Sequence, residues 1–164
     1  MIVRDNSMAI ILQFVLYRQE NNLNMATDDV EKLKGTWDYV DGEHFDDYMK
    51  EIGVSFVTRQ SAKLLKPRLV ISENNGTWTL RSESNIKTVS YDFVPGVAFD
   101  ETTPDGREVK STIDFTSGRW VHKTHDAKNN KDSTVERYID EQGQQQVVMT
   151  CGGVKARRWY KRAS

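Results

Sequence analysis

From residue 66 onward, turn-forming residues recur about every ten positions: Asn74-Asn75-Gly76, Pro95-Gly96, Pro104-Asp105-Gly106, Ser117-Gly118, Asn129-Asn130, Gln142-Gly143 and Gly152-Gly153. Gly and Asn accept left-handed backbone and Pro fixes its own φ, so each cluster can reverse the chain. Reversals at that spacing predict an antiparallel meander. The segments between them are rich in β-branched and aromatic residues, as in Arg68-Leu69-Val70-Ile71-Ser72, Thr77-Trp78-Thr79-Leu80-Arg81 and Gln146-Val147-Val148-Met149-Thr150, and such residues fit a pleated, half-buried surface.

The stretch before the meander has a different period. Phe45, Tyr48, Met49 and Ile52 fall at helical spacing, Asp46 and Asp47 occupy the first turn, where the helix dipole favours acids, and Gly53 can end the segment. A second short helix can start at Ser55 and must finish by Lys66, because Pro67 disfavours helical backbone in the residue before it. One strand near Gly35–Val40, two short helices and about nine further strands make an all-β chain. A meander of that length avoids open edges by closing on itself. The expected fold is a ten-stranded antiparallel up-and-down β-barrel with a helix-turn-helix lid between its first two strands.

A chain of 164 residues, 37% hydrophobic and 29% charged, is the size of one domain with one core. Its net charge of −1 supplies no basic field for phosphate backbones, so nucleic acid is not an expected partner. Cys151 is the only cysteine and can form neither an internal disulfide nor a paired metal or redox site, which fits a reduced, cytoplasmic setting. Residues 1–24 stand apart. Their apolar run Met8–Tyr17 is short of the ~20 residues that cross a bilayer. It has the length of a signal-peptide core, but Arg4 and Asp5 precede it together and no small-residue cleavage pattern follows. We read 1–24 as an extension, disordered or preceding an alternative start at Met25, and 25–164 as the barrel domain. Secretion is the alternative, in which case Asn75-Gly76-Thr77 becomes a glycosylation acceptor instead of a plain turn.

Splitting each strand into its two faces locates charges on the wrong side. In the last strand Lys155, Arg157, Trp159 and Lys161 share one face, while Val154, Ala156, Arg158 and Tyr160 share the other. In the segment from Ser133, the face with Val135 and Ile139 also carries Arg137, and Arg107 shares a face with Val109, Ser111, Ile113 and Phe115. A buried guanidinium needs a partner, so the interior must hold water, internal carboxylates or an anionic ligand. An apolar lining with two guanidiniums and the Tyr160 phenol suits a molecule with a long apolar body and one carboxylate head.

Several motifs, taken together, carry a resemblance. Gly35-Thr36-Trp37, Phe45–Gly53, Thr58-Arg59, Lys66-Pro67, Ser82-Glu83-Ser84, Phe99-Asp100-Glu101-Thr102, Val109-Lys110-Ser111-Thr112 and Arg158-Trp159-Tyr160 appear in the order found in intracellular lipid-binding proteins of the cytosolic fatty-acid-binding type. The chain resembles that family over residues 30 to 163. The resemblance implies the same clam-like barrel and lid, no cofactor or metal, a monomer, and reversible binding and transport of long-chain fatty acids in the cytoplasm or nucleus. It places an Arg-x-Tyr carboxylate clamp on Arg158 and Tyr160 with a partner arginine at Arg137, and it puts Tyr48 and Arg107 at positions that line the cavity or its entrance. Ile86 stands where relatives have a portal phenylalanine.

Three rival functions are weighed against this one. A retinoic acid carrier on the same fold would present the same carboxylate, and a secreted lipocalin also begins with Gly-x-Trp. Catalysis would draw on His122, His125, Asp126 and Ser111, but the sequence has no nucleophile elbow, P-loop, dinucleotide fingerprint or metal-ligand spacing, and the two histidines fall on opposite faces of one strand. The chain is therefore expected not to be an enzyme. Lys50, Arg59, Lys63, Lys66 and Arg68 give the lid region local positive charge for transient contact with membranes or a nuclear receptor.

Overall fold

A computed structural model of the chain describes residues 7–164. The Arg4 and Asp5 flank of the apolar run lies outside them. Ten strands form one antiparallel sheet: β1 (Gly35–Glu43), β2 (Arg68–Asn74), β3 (Thr77–Glu83), β4 (Thr88–Phe93), β5 (Phe99–Thr102), β6 (Glu108–Thr116), β7 (Arg119–Asp126), β8 (Lys131–Ile139), β9 (Gln145–Cys151) and β10 (Val154–Arg162). Their spatial order, β4-β3-β2-β1-β10-β9-β8-β7-β6-β5, joins the first strand to the last and leaves only β4 and β5 without a ladder between them. The result is the nearly closed up-and-down barrel that the turn spacing predicts.

The turns work by the expected chemistry. Asn75-Gly76 (φ 51° and 85°) and Ser117-Gly118 (52° and 73°) place two consecutive residues in left-handed backbone, the two-residue reversal whose twist matches that of the flanking strands. The β3–β4 connection lacks Gly and Pro, and Ser84 closes it instead: its hydroxyl donates to the Lys87 carbonyl at 2.8 Å and accepts from the Lys87 amide at 3.1 Å. Between β1 and β2 lie α2 (Phe45–Glu51) and α3 (Phe56–Lys63). The α2 helix buries Tyr48 and Met49, and the Ser55 hydroxyl caps α3 by accepting from the Thr58 amide at 3.3 Å. Lys131 bonds Glu51 at 2.8 Å and so ties α2 to the start of β8.

Ahead of the barrel runs α1 (Ser7–Glu31), which continues through Met25 without a break. The extension read over residues 1–24 is thus helical from Ser7 onward, in a stretch without Gly or Pro. Its apolar residues from Met8 to Tyr17 are exposed on every side, whereas Val30 and Leu33, at and just past its end, are fully buried. There the Leu33 carbonyl accepts from the Trp37 indole at 2.9 Å, and Arg162 holds the carbonyls of Lys34 (3.0 Å) and Lys32 (2.8 Å). The end of α1 thereby seals the barrel mouth opposite the lid, beside the Ser117-Gly118 turn. Two apolar clusters fill the body. One, under the lid, gathers Trp37, Met49, Leu69, Val147 and Met149; the other, toward α1, gathers Leu33, Ile71, Trp78, Phe93, Ile113 and Trp120.

Candidate binding site

Alternation along β10 turns Ala156, Arg158 and Tyr160 inward and leaves Lys155 and Lys161 in solvent. Strand register then sets a single inward row, Gly42, Arg158, Val147, Arg137 and Trp120, across β1, β10, β9, β8 and β7. Arg158 and Arg137 stand on one level on either side of Val147, about 10 Å apart at the backbone because two strand spacings separate them. The next row toward α1 contains Tyr39, Tyr160, Gln145 and Ile139.

Both arginines are buried, and neither meets a carboxylate among the described residues. Arg158 donates from Nη2 to the Leu65 carbonyl at 2.8 Å, and its guanidinium lies 4.5 Å from the Tyr39 ring centroid and 4.4 Å from that of Phe45. These contacts fix the plane of the group and stabilise its charge. Arg137 donates from Nη1 to Gln145 Oε1 at a long 3.3 Å and stands 6.0 Å from the Trp120 ring. The Nε–H groups of both arginines, with Trp120 Nε1 and Gln145 Nε2, are buried donors without an acceptor in the barrel. Tyr160 packs edge-on to Tyr39 at 5.6 Å. Burial pushes its phenol above the ordinary value despite the opposing charges of Arg158 and Arg137, so it stays a neutral donor. An interior with two fixed cations, a phenol and spare N–H groups is built for a ligand that brings acceptors and negative charge.

The other two expected residues are placed differently. Tyr48 packs in the same apolar cluster as Tyr160, where burial raises its phenol, and it forms wall under α2. Arg107 is fully engaged elsewhere: it donates to Asp105 at 2.7 Å and to Asp126 at 3.0 Å, and Asp126 also accepts from the Asn129 amide group at 2.8 Å. The third inward arginine of the sequence reading is therefore a structural tie between turns, which leaves Arg137 and Arg158 as the unanswered pair.

An internal acid does exist, on β5. Glu101 is buried, and its Oε2 accepts from Ser111 at 2.6 Å and lies 3.0 Å from His122 Nε2. Sequence reasoning did not single it out, although its shared parity with the apolar Phe99 was a usable signal. Because Ser111 and His122 both bond this one oxygen, the histidine is not placed to activate the serine. Exposed His125 pairs instead with Asp132 at 2.7 Å. Among the described residues no cluster could hold a metal ion. Of the basic residues in the lid region, Arg59 and Lys63 contact Asp46 (3.0 and 3.3 Å) and Arg68 contacts Asp38 (2.7 Å), whereas Lys50 and Lys66 are exposed. Ile86 is exposed and lines an open cleft of about 750 Å³ with Leu64, Leu65 and Lys66. No helix of the described residues is long and apolar enough to cross a membrane.

Comparison with known proteins accords with this architecture. A model of the lipocalin / cytosolic fatty-acid binding protein family matches residues 34–163. The chain is 39% identical over 134 residues to fatty acid-binding protein homolog 5 of Caenorhabditis elegans, covering 80% of this chain and 97% of the relative. Among solved structures, fatty-acid-binding protein 1 of Echinococcus granulosus superposes with a TM-score of 0.77 at 34% identity, covering 82% of this chain and 99% of that one. The Schistosoma mansoni fatty acid binding protein in complex with arachidonic acid gives the same TM-score of 0.77 at 30% identity, covering 83% and 99%.

Proposed function

The chain belongs to the lipocalin / cytosolic fatty-acid binding protein family, and from that footing we propose that it binds long-chain fatty acids inside the barrel and transports them within the cell. The observation that carries the proposal is the pair of buried guanidiniums, Arg137 and Arg158, which have no carboxylate partner in the barrel. A fatty-acid carboxylate set between them and the Tyr160 hydroxyl brings the missing charge and acceptors, and the chain's apolar body meets residues such as Val147, Met149 and Tyr48. Binding then exchanges desolvated, half-bonded cations for a charge-assisted pair, while burial of the alkyl chain adds roughly 0.8 kcal/mol per CH₂. No chemical step is needed, so the protein acts as a carrier.

In this proposal the lid meets membranes through Lys50 and Lys66, the two exposed basic residues of the region that form no ion pair among the described residues, unlike Arg59, Lys63 and Arg68. Titration of the delipidated full chain with oleate and, separately, with retinoic acid tests the proposal, with native mass spectrometry reporting what co-purifies. Saturable oleate binding and a bound fatty-acid mass are expected. Binding of neither ligand would overturn it, and saturation by retinoic acid alone would move the assignment to a retinoid.

A further inference from the structure

The acid inside the barrel is not needed to hold a fatty-acid carboxylate, yet it is arranged as carefully as the arginine pair. Glu101, Ser111 and His122 are all buried. Two chains of donors converge on the acid. Thr124 Oγ1 lies 3.0 Å from Ser111 Oγ, which donates to Glu101 Oε2 at 2.6 Å. The Tyr91 hydroxyl lies 3.4 Å from His122 Nδ1, and His122 Nε2 lies 3.0 Å from the same Oε2. With the His122 proton on Nε2, every hydroxyl and ring N–H in the cluster points toward Glu101, and both chains end on one of its two oxygens. A carboxylate offers about four lone-pair sites, and the barrel's own donors serve only the Oε2 side.

The surroundings are apolar and aromatic. Tyr91 stacks on Phe99 at 5.8 Å, and Phe99 stands 6.1 Å from the His122 ring. Against burial, which acts to raise it, the bonds from His122 and Ser111 and the charge of Arg107 hold the Glu101 carboxyl below its ordinary value, so it stays an ionised acceptor. The cluster also lies within reach of the carboxylate anchor. Trp120 pairs with Arg137, and His122 is two residues further along the same strand, a backbone separation of about 8 Å once one strand spacing is included. An acyl chain held by its head between Arg137 and Arg158 can therefore pass Glu101 part-way along its length.

We infer that Glu101, held by Ser111 and His122, is a second recognition site that reads a hydroxyl carried mid-chain, so that the preferred cargo is a hydroxylated long-chain fatty acid. The inference rests on the carrier reading above and adds the chemical identity of the cargo. The hydroxyl donates to the acid, completing its hydrogen bonds, whereas a plain alkyl chain leaves that oxygen against hydrocarbon.

The test uses the delipidated full chain, stearate, and a series of hydroxystearates whose hydroxyl is moved along successive mid-chain carbons. One positional isomer is expected to bind about tenfold or more tightly than stearate, and isomers whose hydroxyl misses Glu101 more weakly than stearate, since they bury an unpaired hydroxyl. Glu101→Leu, which removes every hydrogen-bonding atom of the side chain, should abolish the positional preference, so that affinity no longer depends on where the hydroxyl sits, an outcome that a purely structural role for Glu101 would not give. All isomers binding at or below stearate, or a preference that survives Glu101→Leu, would overturn the inference while leaving the carrier reading intact. Where the variant does not fold, the positional profile of the parent protein decides alone. Failure of stearate and every isomer to saturate would remove the carrier reading and this inference together.

Discussion

Arg158→Gln is the sharpest perturbation of the proposed anchor, because the structure supplies its own control one residue away. Arg158 is buried, clamped by the Leu65 carbonyl at 2.8 Å and by two aromatic rings at 4.5 and 4.4 Å, so it is pre-positioned before any ligand arrives. Little ordering remains to offset its bond to a carboxylate. A charge-assisted hydrogen bond contributes about 1.5–3 kcal/mol, which converts to a roughly 10- to 150-fold rise in Kd for oleate when the charge is removed. Arg157 points the other way: its side chain is 42% exposed and bonds Glu43 at 3.1 Å. An exposed pair of that kind contributes at most about 1 kcal/mol, and only to stability. Calorimetric titration of both variants with oleate, beside their thermal unfolding, makes the comparison. Arg158→Gln should lose affinity and Arg157→Gln should bind as the parent does. If the two bind oleate equally well, the inward assignment of β10, and with it the anchor, is refuted.

Three further outcomes are expected. Arg137→Gln should weaken oleate binding about tenfold or more while the empty barrel melts at the same temperature or higher, since removal of a buried charge without a carboxylate partner relieves a cost; a destabilised variant that still binds fully would show a structural cation instead. Asp126 is held down to about 2 by its bonds from Asn129 and Arg107, against burial, which acts to raise it. Its depressed folded value means that its contribution to stability is complete above the ordinary value of 3.8 and disappears as pH falls toward 2. The melting curves of the parent and Asp126→Asn should therefore lie furthest apart near neutrality and converge across that acid window, and a constant gap would contradict the tie to Arg107. Removal of residues 1–24 should leave the melting temperature unchanged, because the described α1 side chains from Met8 to Asn22 are all exposed, whereas Leu33→Ala, at a fully buried position, should cost about 2–5 kcal/mol in chemical denaturation.

The fold was legible because hairpin geometry is local. Asn75-Gly76 and Ser117-Gly118 adopt the left-handed backbone that their residue types favour, and strand parity alone was enough to turn Arg158 and Arg137 inward. The ion pairs that sort one inward cation from another were not legible. Arg107 and Asp126 are 19 residues apart and meet only because β6 and β7 pair in the observed register. Likewise, nothing near Glu101 in sequence announces Ser111 and His122, which reach it from β6 and β7. The α1 helix escaped for a different reason: Met8–Tyr17 is apolar on every side and offers no period from which to read a buried face.

The missing ladder between β4 and β5 has a mechanical meaning. Around the rest of the wall, backbone bonds hold neighbouring strands at a set spacing, so the girth cannot change without breaking them. Across this one joint no ladder runs, and the strands are held chiefly by rings, Tyr91 and Phe93 on one side stacking against Phe99 on the other at 5.8 and 6.3 Å, with one bond at the margin from Lys87 to the Pro104 carbonyl at 3.0 Å. Stacked rings can slide where hydrogen bonds would snap, so the wall has an expansion joint that can yield to bulkier or kinked cargo at small cost. The same joint turns the sheet's two free edges toward each other and fills the space between with side chains, so neither edge presents an open row of backbone groups to a further strand.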